Sequence, residues 1–332
     1  MSFLKKRSPF ALLAATLLPL LAGCTRHSKD EHYYLVATNI NLSYWKSANA
    51  GFQKAAAQYG VSAEMRGTTT FDPQGEVGEF RTVVARKPAG ILVSVASAQL
   101  LAPEINAAME AGIPVITMDS DAPQSGRLYF IGTNNLQAGR LGGQRVASKL
   151  NGKGNVVFFS IPGQPNIDER LKGYKDALSN YPGIKVVDVF DMKGDSGVAM
   201  DQTKDYLSRT GANKIDAIVC LEAASGRDVA EEFRRSGVKD RLLVAMDVDQ
   251  PVLQGIRDGT IDSTISQKPY TMAQVGLKAL DDIHHYPVKP LIQDYGLDSF
   301  APFPAFVDTG VSLIDKSNVD TLLNLGEDKA AQ

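Results

Sequence analysis

GILVSVASAQLLAPEINAAMEAGIPVITMDSDAP, residues 90–123, carries the fold in a single run. GILVSVA is short, apolar on both faces and rich in β-branched residues, which favours a strand. LLAPEINAAMEAG has helical spacing, and PVITMD is apolar again. A strand buried on both faces, a helix and a second such strand are the repeating unit of a parallel sheet covered on both sides. The run then stops in two carboxylates, Asp119 and Asp121, with Ser120 between them. In open parallel sheets ligands sit beyond the carboxyl ends of the strands, so acids at such an end are candidates for a site.

The alternation extends in both directions. Upstream, YYLVATNI reads as a strand and YWKSANAGFQKAAAQYG as a helix, with Trp45, Ala48, Phe52, Ala55 and Ala56 on one face and Gly60 as its stop. VSAEMRG and PQGEVGEFRTVVAR repeat the pattern. Downstream the series begins afresh: RLYFIGTN, NLQAGRLGGQRVASKLNG, NVVFFSI and IDERLKGYKDALSNYPG read as strand, helix, strand, helix. KVVDVFDM, SGVAMDQTKDYLSR, AIVCLE, GRDVAEEFRRSG, LLVAMD, VLQGIRDG and STISQ continue it. Two successive blocks predict an α/β fold of two doubly wound, Rossmann-like lobes.

Polar residues recur at the same strand ends: Asn39 and Asn41 after the first strand, Glu222 after AIVC, Asp247 after LLVAM, Gln267 after STIS. Any one of them would serve equally to cap a helix or close a turn. Gathered at one topological end, they fit a cleft for a hydroxyl-rich ligand, whose buried hydroxyls must all find partners.

The chain has 332 residues, 44% hydrophobic and 22% charged, with a formal net charge of -2. That length accommodates two domains, and near-neutral charge without a basic stripe argues against a nucleic-acid partner. The N-terminus pairs a positive start, MSFLKKR, with PFALLAATLLPLLAG, an apolar run too short for a comfortable membrane span. It ends in Leu21-Ala22-Gly23-Cys24 before polar TRHSKDEH, which resembles a bacterial lipobox; the alternative is an ordinary signal peptide with an incidental cysteine. The resemblance implies a signal peptide over 1–23, a lipidated Cys24 and a tether over 24–32. Acyl chains gain about 0.8 kcal/mol per buried methylene, so more than one holds a protein to a bilayer without a spanning helix. Cys220, the other cysteine, then has no disulfide partner and reads as a small buried hydrophobe. An exported protein is expected, in the periplasm or at the cell surface, anchored as a lipoprotein.

NINLSYWKSANAGFQKAA, GIPVITMDSDA, IGTNNLQAGRLGG, DERLKGYKDAL, VAMDVDQ and IRDGTIDSTISQKP, in that order and spacing, resemble the type I periplasmic sugar-binding proteins, especially their ribose-binding branch. The resemblance covers nearly the whole mature chain. It implies two lobes joined by three crossovers and closing on ligand by hinge motion. The lobes are expected over 33–133 with a return near 268–297, and over 134–267 with a last segment near 298–325, leaving 326–332 as a tail. It also implies an aromatic pair at Tyr44 and Trp45, ligand-binding aspartates at Asp119 and Asp247, an arginine fork at Arg170 and a glutamine at Gln267. Thr38 and Thr133 lie at weaker matching positions. The family's activity implies an ABC permease with its ATPase as partner; no cofactor, no metal and a monomer are expected.

Departures bear on the ligand. Ser120 stands where ribose-type members carry arginine, Glu222 where asparagine or aspartate is usual, and Leu42 where asparagine is usual, with Asn41 next door as a substitute. A pocket of Asp119, Asp121, Glu222 and Asp247 against Arg170 is acid-rich, which disfavours an anionic ligand, and with these departures ribose itself is not supported. A neutral sugar or polyol fits, with an amino-sugar left open. Paired carboxylates also serve glycoside hydrolysis, yet the chain has no nucleophile elbow, Walker loop or Rossmann glycine fingerprint. The glycines of AGRLGG read as close helix packing. Four histidines, two adjacent in DDIHHYP, show no zinc spacing. A repressor of the same fold would carry a DNA-reading helix where this chain carries an export signal. A sensory receptor serving a chemoreceptor or histidine kinase is the alternative to import.

Overall fold

A computed structural model describes residues 27–288 and 301–330, the side chains of 325–330 excepted. The signal segment 1–23 and Cys24 lie outside the described residues. The chain opens with β1 (His32–Ala37), α1 (Ser43–Tyr59), β2 (Ser62–Gly67), α2 (Pro73–Ala85), β3 (Gly90–Val93), α3 (Ala98–Glu110), β4 (Val115–Met118) and β5 (Phe130–Gly132). It continues with α4 (Asn135–Lys149), β6 (Lys153–Ser160), α5 (Pro165–Leu178), β7 (Gly183–Asp191), α6 (Ser196–Ser208), β8 (Ala217–Cys220), α7 (Ser225–Ser236), β9 (Leu242–Met246), α8 (Gln250–Asp258) and β10 (Ser263–Ser266). It closes with α9 (Pro269–His285), β11 (Phe306–Asp308), β12 (Ser312–Asp315) and α10 (Val319–Ala330). No helix among the described residues is long and apolar enough to cross a membrane.

The strands form two sheets with the same winding. One has the order β11-β5-β4-β3-β1-β2 and the other β12-β10-β9-β8-β6-β7. All pairs are parallel except β10 with β12. In each sheet the chain starts inside, moves one strand outward and then reverses. Its switch points, β1/β3 and β6/β8, therefore occupy equivalent places. Central strands are buried throughout, as β3, β4 and β8 are, because helices cover both faces. Each lobe has its own apolar core, one built on Leu35, Phe52, Phe80 and Leu92, the other on Phe158, Phe159, Tyr206 and Phe233. Cys220 ends β8 fully buried, and burial pushes its thiol up to about 12.

Three crossings join the lobes. The first follows β5 and the second follows β10. The third falls between Asp308 and Ser312, later than the expected return to the second lobe near 298. Residues 306–308 still belong to the first sheet: Val307 pairs with Ile131, and the Phe306 ring stacks on Phe130 with centroids 5.2 Å apart. Thr309 then donates to the Gly132 carbonyl at 2.8 Å, and Asp308 accepts from the Asn134 N–H at 3.3 Å, so the first and third crossings are laced together. α10 continues through the expected tail as far as Ala330.

One packing detail fixes the helix that matters most to the cleft. A Cβ on Gly139 of α4 would lie 2.0 Å from the Arg170 carbonyl oxygen, and one on Gly173 of α5 would lie 2.2 Å from that of Leu136. Only glycines allow these two backbones to approach so closely. The AGRLGG glycines are packing residues, as their helical setting indicated.

Candidate functional site

Asp119 and Asp247 stand immediately after β4 and β9, at equivalent ends of the two sheets. Each follows a methionine in a local repeat, Met118-Asp-Ser-Asp-Ala-Pro123 and Met246-Asp-Val-Asp-Gln-Pro251. Both adopt left-handed backbone, φ 64° and φ 65°, a conformation aspartate tolerates better than most side chains. The Asp119 N–H donates to the Ile131 carbonyl at 3.1 Å, and that of Asp247 to Ile265 at 2.8 Å. The same turn therefore ends a strand in each lobe and presents a carboxylate to the space between them.

Asp119 is buried and accepts from Tyr44 Oη (2.7 Å), Ser94 Oγ (2.9 Å) and Asn166 Nδ2 (3.2 Å). Asn166 belongs to α5 of the other lobe, so the two lobes touch across the cleft. Asp247 receives Gln267 Nε2 at 3.2 and 3.3 Å on its two oxygens. Arg170 reaches in from α5 and is only 2% exposed. Its Nη2 donates to Asn135 Oδ1 at 2.7 Å and its Nη1 to the Leu221 carbonyl. Among the described residues no carboxylate lies within ion-pair distance of it. The guanidinium plane is thus held by neutral groups, with its charge free to act on whatever enters.

The electrostatics follow from one buried cation set among acids. Burial drives the Asp247 carboxyl up to about 7; Asp119 and Glu222 push the same way, while Arg170 and Gln267 oppose them. Asp119 is also raised, chiefly by burial, and held back by the Tyr44 bond and by Arg170. Burial and the neighbouring Asp119 and Asp247 charges keep the Tyr44 phenol protonated. A site so arranged accepts hydroxyl donors readily and receives added negative charge poorly.

The cavity between the lobes is lined by Thr38, Tyr44, Trp45, Asp119, Arg170, Glu222, Asp247 and Gln267. Tyr44 and Trp45 meet edge to face, with centroids 5.0 Å apart. Glu222 has a second task, because its carboxylate accepts the Ala224 and Ser225 N–H groups at the start of α7. Four expected residues lie elsewhere. Asp121 accepts from Thr117 Oγ1 at 2.6 Å, the Ala122 N–H at 2.8 Å and Nε and Nη2 of Arg127, outside this cavity. Its counterpart Asp249 caps α8 through Val252 N–H at 3.0 Å, so the second acid of each repeat is structural. Ser120 is fully buried beneath the turn, and Thr133 faces a separate cleft. Asn41 is exposed beside a neighbouring groove, while Asn39, two residues earlier, takes the place on the cavity wall.

Asn166, Ser94 and Phe71 join the site without having been anticipated. Asn166 Oδ1, Arg170 Nε and Gln267 Oε1 are buried without a protein hydrogen-bond partner. Buried polar atoms are nearly always satisfied, and here all three residues line one cavity.

Residues 33–284 match the model of a family described as periplasmic binding protein domain. The chain is 33% identical to a solved structure, that of AraP, an arabinose-binding protein from Geobacillus stearothermophilus, with a TM-score of 0.72 over 88% of this chain and 99% of that one. It is 32% identical to the sugar-binding protein of a sugar ABC transporter from Bacillus halodurans, with a TM-score of 0.77 and the same two coverages, 88% and 99%. The ribose import binding protein RbsB of Bacillus subtilis is 22% identical over 283 residues, 84% of this chain and 90% of that protein.

Proposed function

The chain belongs to the periplasmic binding protein family, in its type I sugar-binding branch, and from that premise we propose that it captures a neutral monosaccharide or polyol outside the cytoplasm and delivers it to an ABC importer. The observation that carries the reading is the convergence, from two lobes on one cavity, of paired aspartates, one arginine and three unsatisfied polar atoms. Hydroxyl groups satisfy all of these at once: they donate to Asp119 and Asp247 and accept from Arg170 Nε. Tyr44 and Trp45 offer flat apolar surface to the C–H side of a sugar ring. A phosphate or carboxylate would add charge where two acids already face a single cation. Binding without chemistry suffices, because nothing in the site needs to form or break a covalent bond for transport. Lipidation of Cys24 would hold the protein beside the importer, and lobe closure would create the surface the permease reads.

A thermal-shift screen with arabinose, xylose, ribose, galactose, xylitol, inositols, amino-polyols and a sugar phosphate tests this. A ligand at a hundredfold excess over its dissociation constant adds about 2.7 kcal/mol to stability. A shift with a neutral member, and none with the phosphate, is expected. A response to the phosphate alone would overturn the reading.

A further inference from the structure

A cluster of titratable groups lies at the opposite end of the first lobe, around the amino end of β1. His27, just before that strand, places its Nε2 2.8 Å from Asp281 Oδ2. Asp281 and His285 sit one turn apart on α9, and His285 Nε2 lies 3.7 Å from Asp281 Oδ1 and 3.0 Å from Glu31 Oε2. The donor atoms of His27, Asp281 and His285 all fall within 4.8 Å of one another. We propose that His27, Asp281 and His285, with Glu31 as fourth ligand, bind a divalent transition metal of the zinc class.

Charge and chemistry both point that way. Asp281 is 2% exposed, and the Glu31 side chain is 15% exposed. Among the described residues neither has a lysine or arginine within ion-pair distance; imidazoles are the only basic side chains that reach them. An imidazole balances a carboxylate only when protonated, whereas a dication balances both acids at any pH that leaves the histidines free to ligate. Two imidazoles and two carboxylates suit zinc and its neighbours, not calcium, which takes oxygen ligands. Bonds of about 2.0–2.2 Å in a tetrahedron put ligand atoms about 3.4 Å apart. The separations of 2.8 Å (His27–Asp281), 3.7 Å (His285–Asp281) and 3.0 Å (His285–Glu31) straddle that figure; Glu31, which lies outside the 4.8 Å group formed by the other three, would turn inward to complete the shell. Tyr33 Oη already donates to Asp281 Oδ1 at 3.2 Å, the kind of outer contact that orients a ligating carboxylate. No local zinc spacing exists, because the ligands come from positions 254 residues apart. The ion would pin the segment just after the anchor onto α9.

The full chain in detergent, stripped with EDTA, is titrated with ZnCl2 by calorimetry, and with Co2+ by visible absorption. One saturable ion per chain is expected, with a rise in melting temperature that EDTA reverses. His27→Gln changes a side chain outside the core, so folding is not at risk, and it should weaken Zn2+ binding at least about tenfold. His285→Ala should do the same, while Tyr33→Phe should weaken it less. The sugar-induced thermal shift should survive in His27→Gln, which separates this site from the cleft. Absence of saturable uptake, or equal affinity in wild type and a His27→Gln/His285→Ala double variant, would overturn the proposal.

Discussion

Asp247→Asn is expected to stabilise the ligand-free protein and to damage its binding, two effects of opposite sign from one atom. Burial and the nearby acids lift the carboxyl from 3.8 to about 7 in the folded chain. A raised acid binds its proton more tightly folded than unfolded, so its contribution to stability falls as pH rises through that window. The shift corresponds to about 4 kcal/mol at most, absent below pH 3.8 and complete above pH 7. Asparagine mimics the protonated acid, tolerates left-handed backbone, and keeps an oxygen for Gln267 Nε2. The variant should therefore match wild type near pH 4 and exceed it at pH 8, by up to about 4 kcal/mol in urea titrations. Its affinity for the neutral ligand found by screening should fall roughly ten- to hundredfold, the worth of a hydrogen bond to a charged acceptor. A variant less stable than wild type at pH 8, with unchanged calorimetric affinity, would refute both the buried charge and its role.

Arg170→Lys loses the planar fork, stranding Asn135 Oδ1 or the Leu221 carbonyl and removing Nε, so binding measured by calorimetry should weaken at least about tenfold; equal affinity removes Arg170 from the ligand's surroundings. Gly139→Ala drives a Cβ against the Arg170 carbonyl and should cost about 1–3 kcal/mol or more in denaturant titrations, with weaker ligand binding because α5 shifts; an unaltered midpoint would contradict the close approach of α4 and α5. Cys24→Ser should move the protein from the membrane to the soluble fraction, and continued sedimentation with membranes would remove the lipid anchor. Ligand-free Asp247→Asn should be more compact than ligand-free wild type at pH 8 in small-angle scattering, and indistinguishable from it near pH 4.

The two lobes were legible because parallel strands buried on both faces leave continuous apolar runs, and amphipathic helices separate them. β11 was not, since FVD is three residues long and its partner, β5, lies more than 170 residues earlier; nothing local marks such an edge strand. α9 carries a local signal of its own: Met272, Ala273, Gly276, Leu277, Leu280 and Ile283 follow helical spacing behind Pro269. In the cleft, strand ends identified Asp119 and Asp247, but the same rule also selected Asp121. What divides Asp119 from Asp121 is the left-handed turn at the first, which turns the chain so that the second meets Arg127. Asn166 and Ser94 were hidden because they reach Asp119 from other elements, at sequence distances of 47 and 25.

On the proposed function, the paired aspartates would couple ligand binding to lobe closure. Each lobe contributes one acid, at the carboxyl end of a strand. In the arrangement seen here both are buried, and burial raises the cost of ionising each; the Asp119 charge adds to that cost at Asp247, with Arg170 offsetting only part of it. Closure without ligand is thus opposed by charge, most strongly above the pH at which Asp247 ionises. A polyol entering the cleft supplies hydroxyl donors to both carboxylates and acceptors to the arginine, replacing the water that closure removes. The ligand therefore interacts more favourably with the closed arrangement than with the open one, which is the condition for shifting a two-state equilibrium. Neutralising one acid weakens the opposition to closure and the ligand's grip together. Equal compactness of wild type and Asp247→Asn at pH 8 would mean that something other than this acid pair holds the unliganded lobes apart.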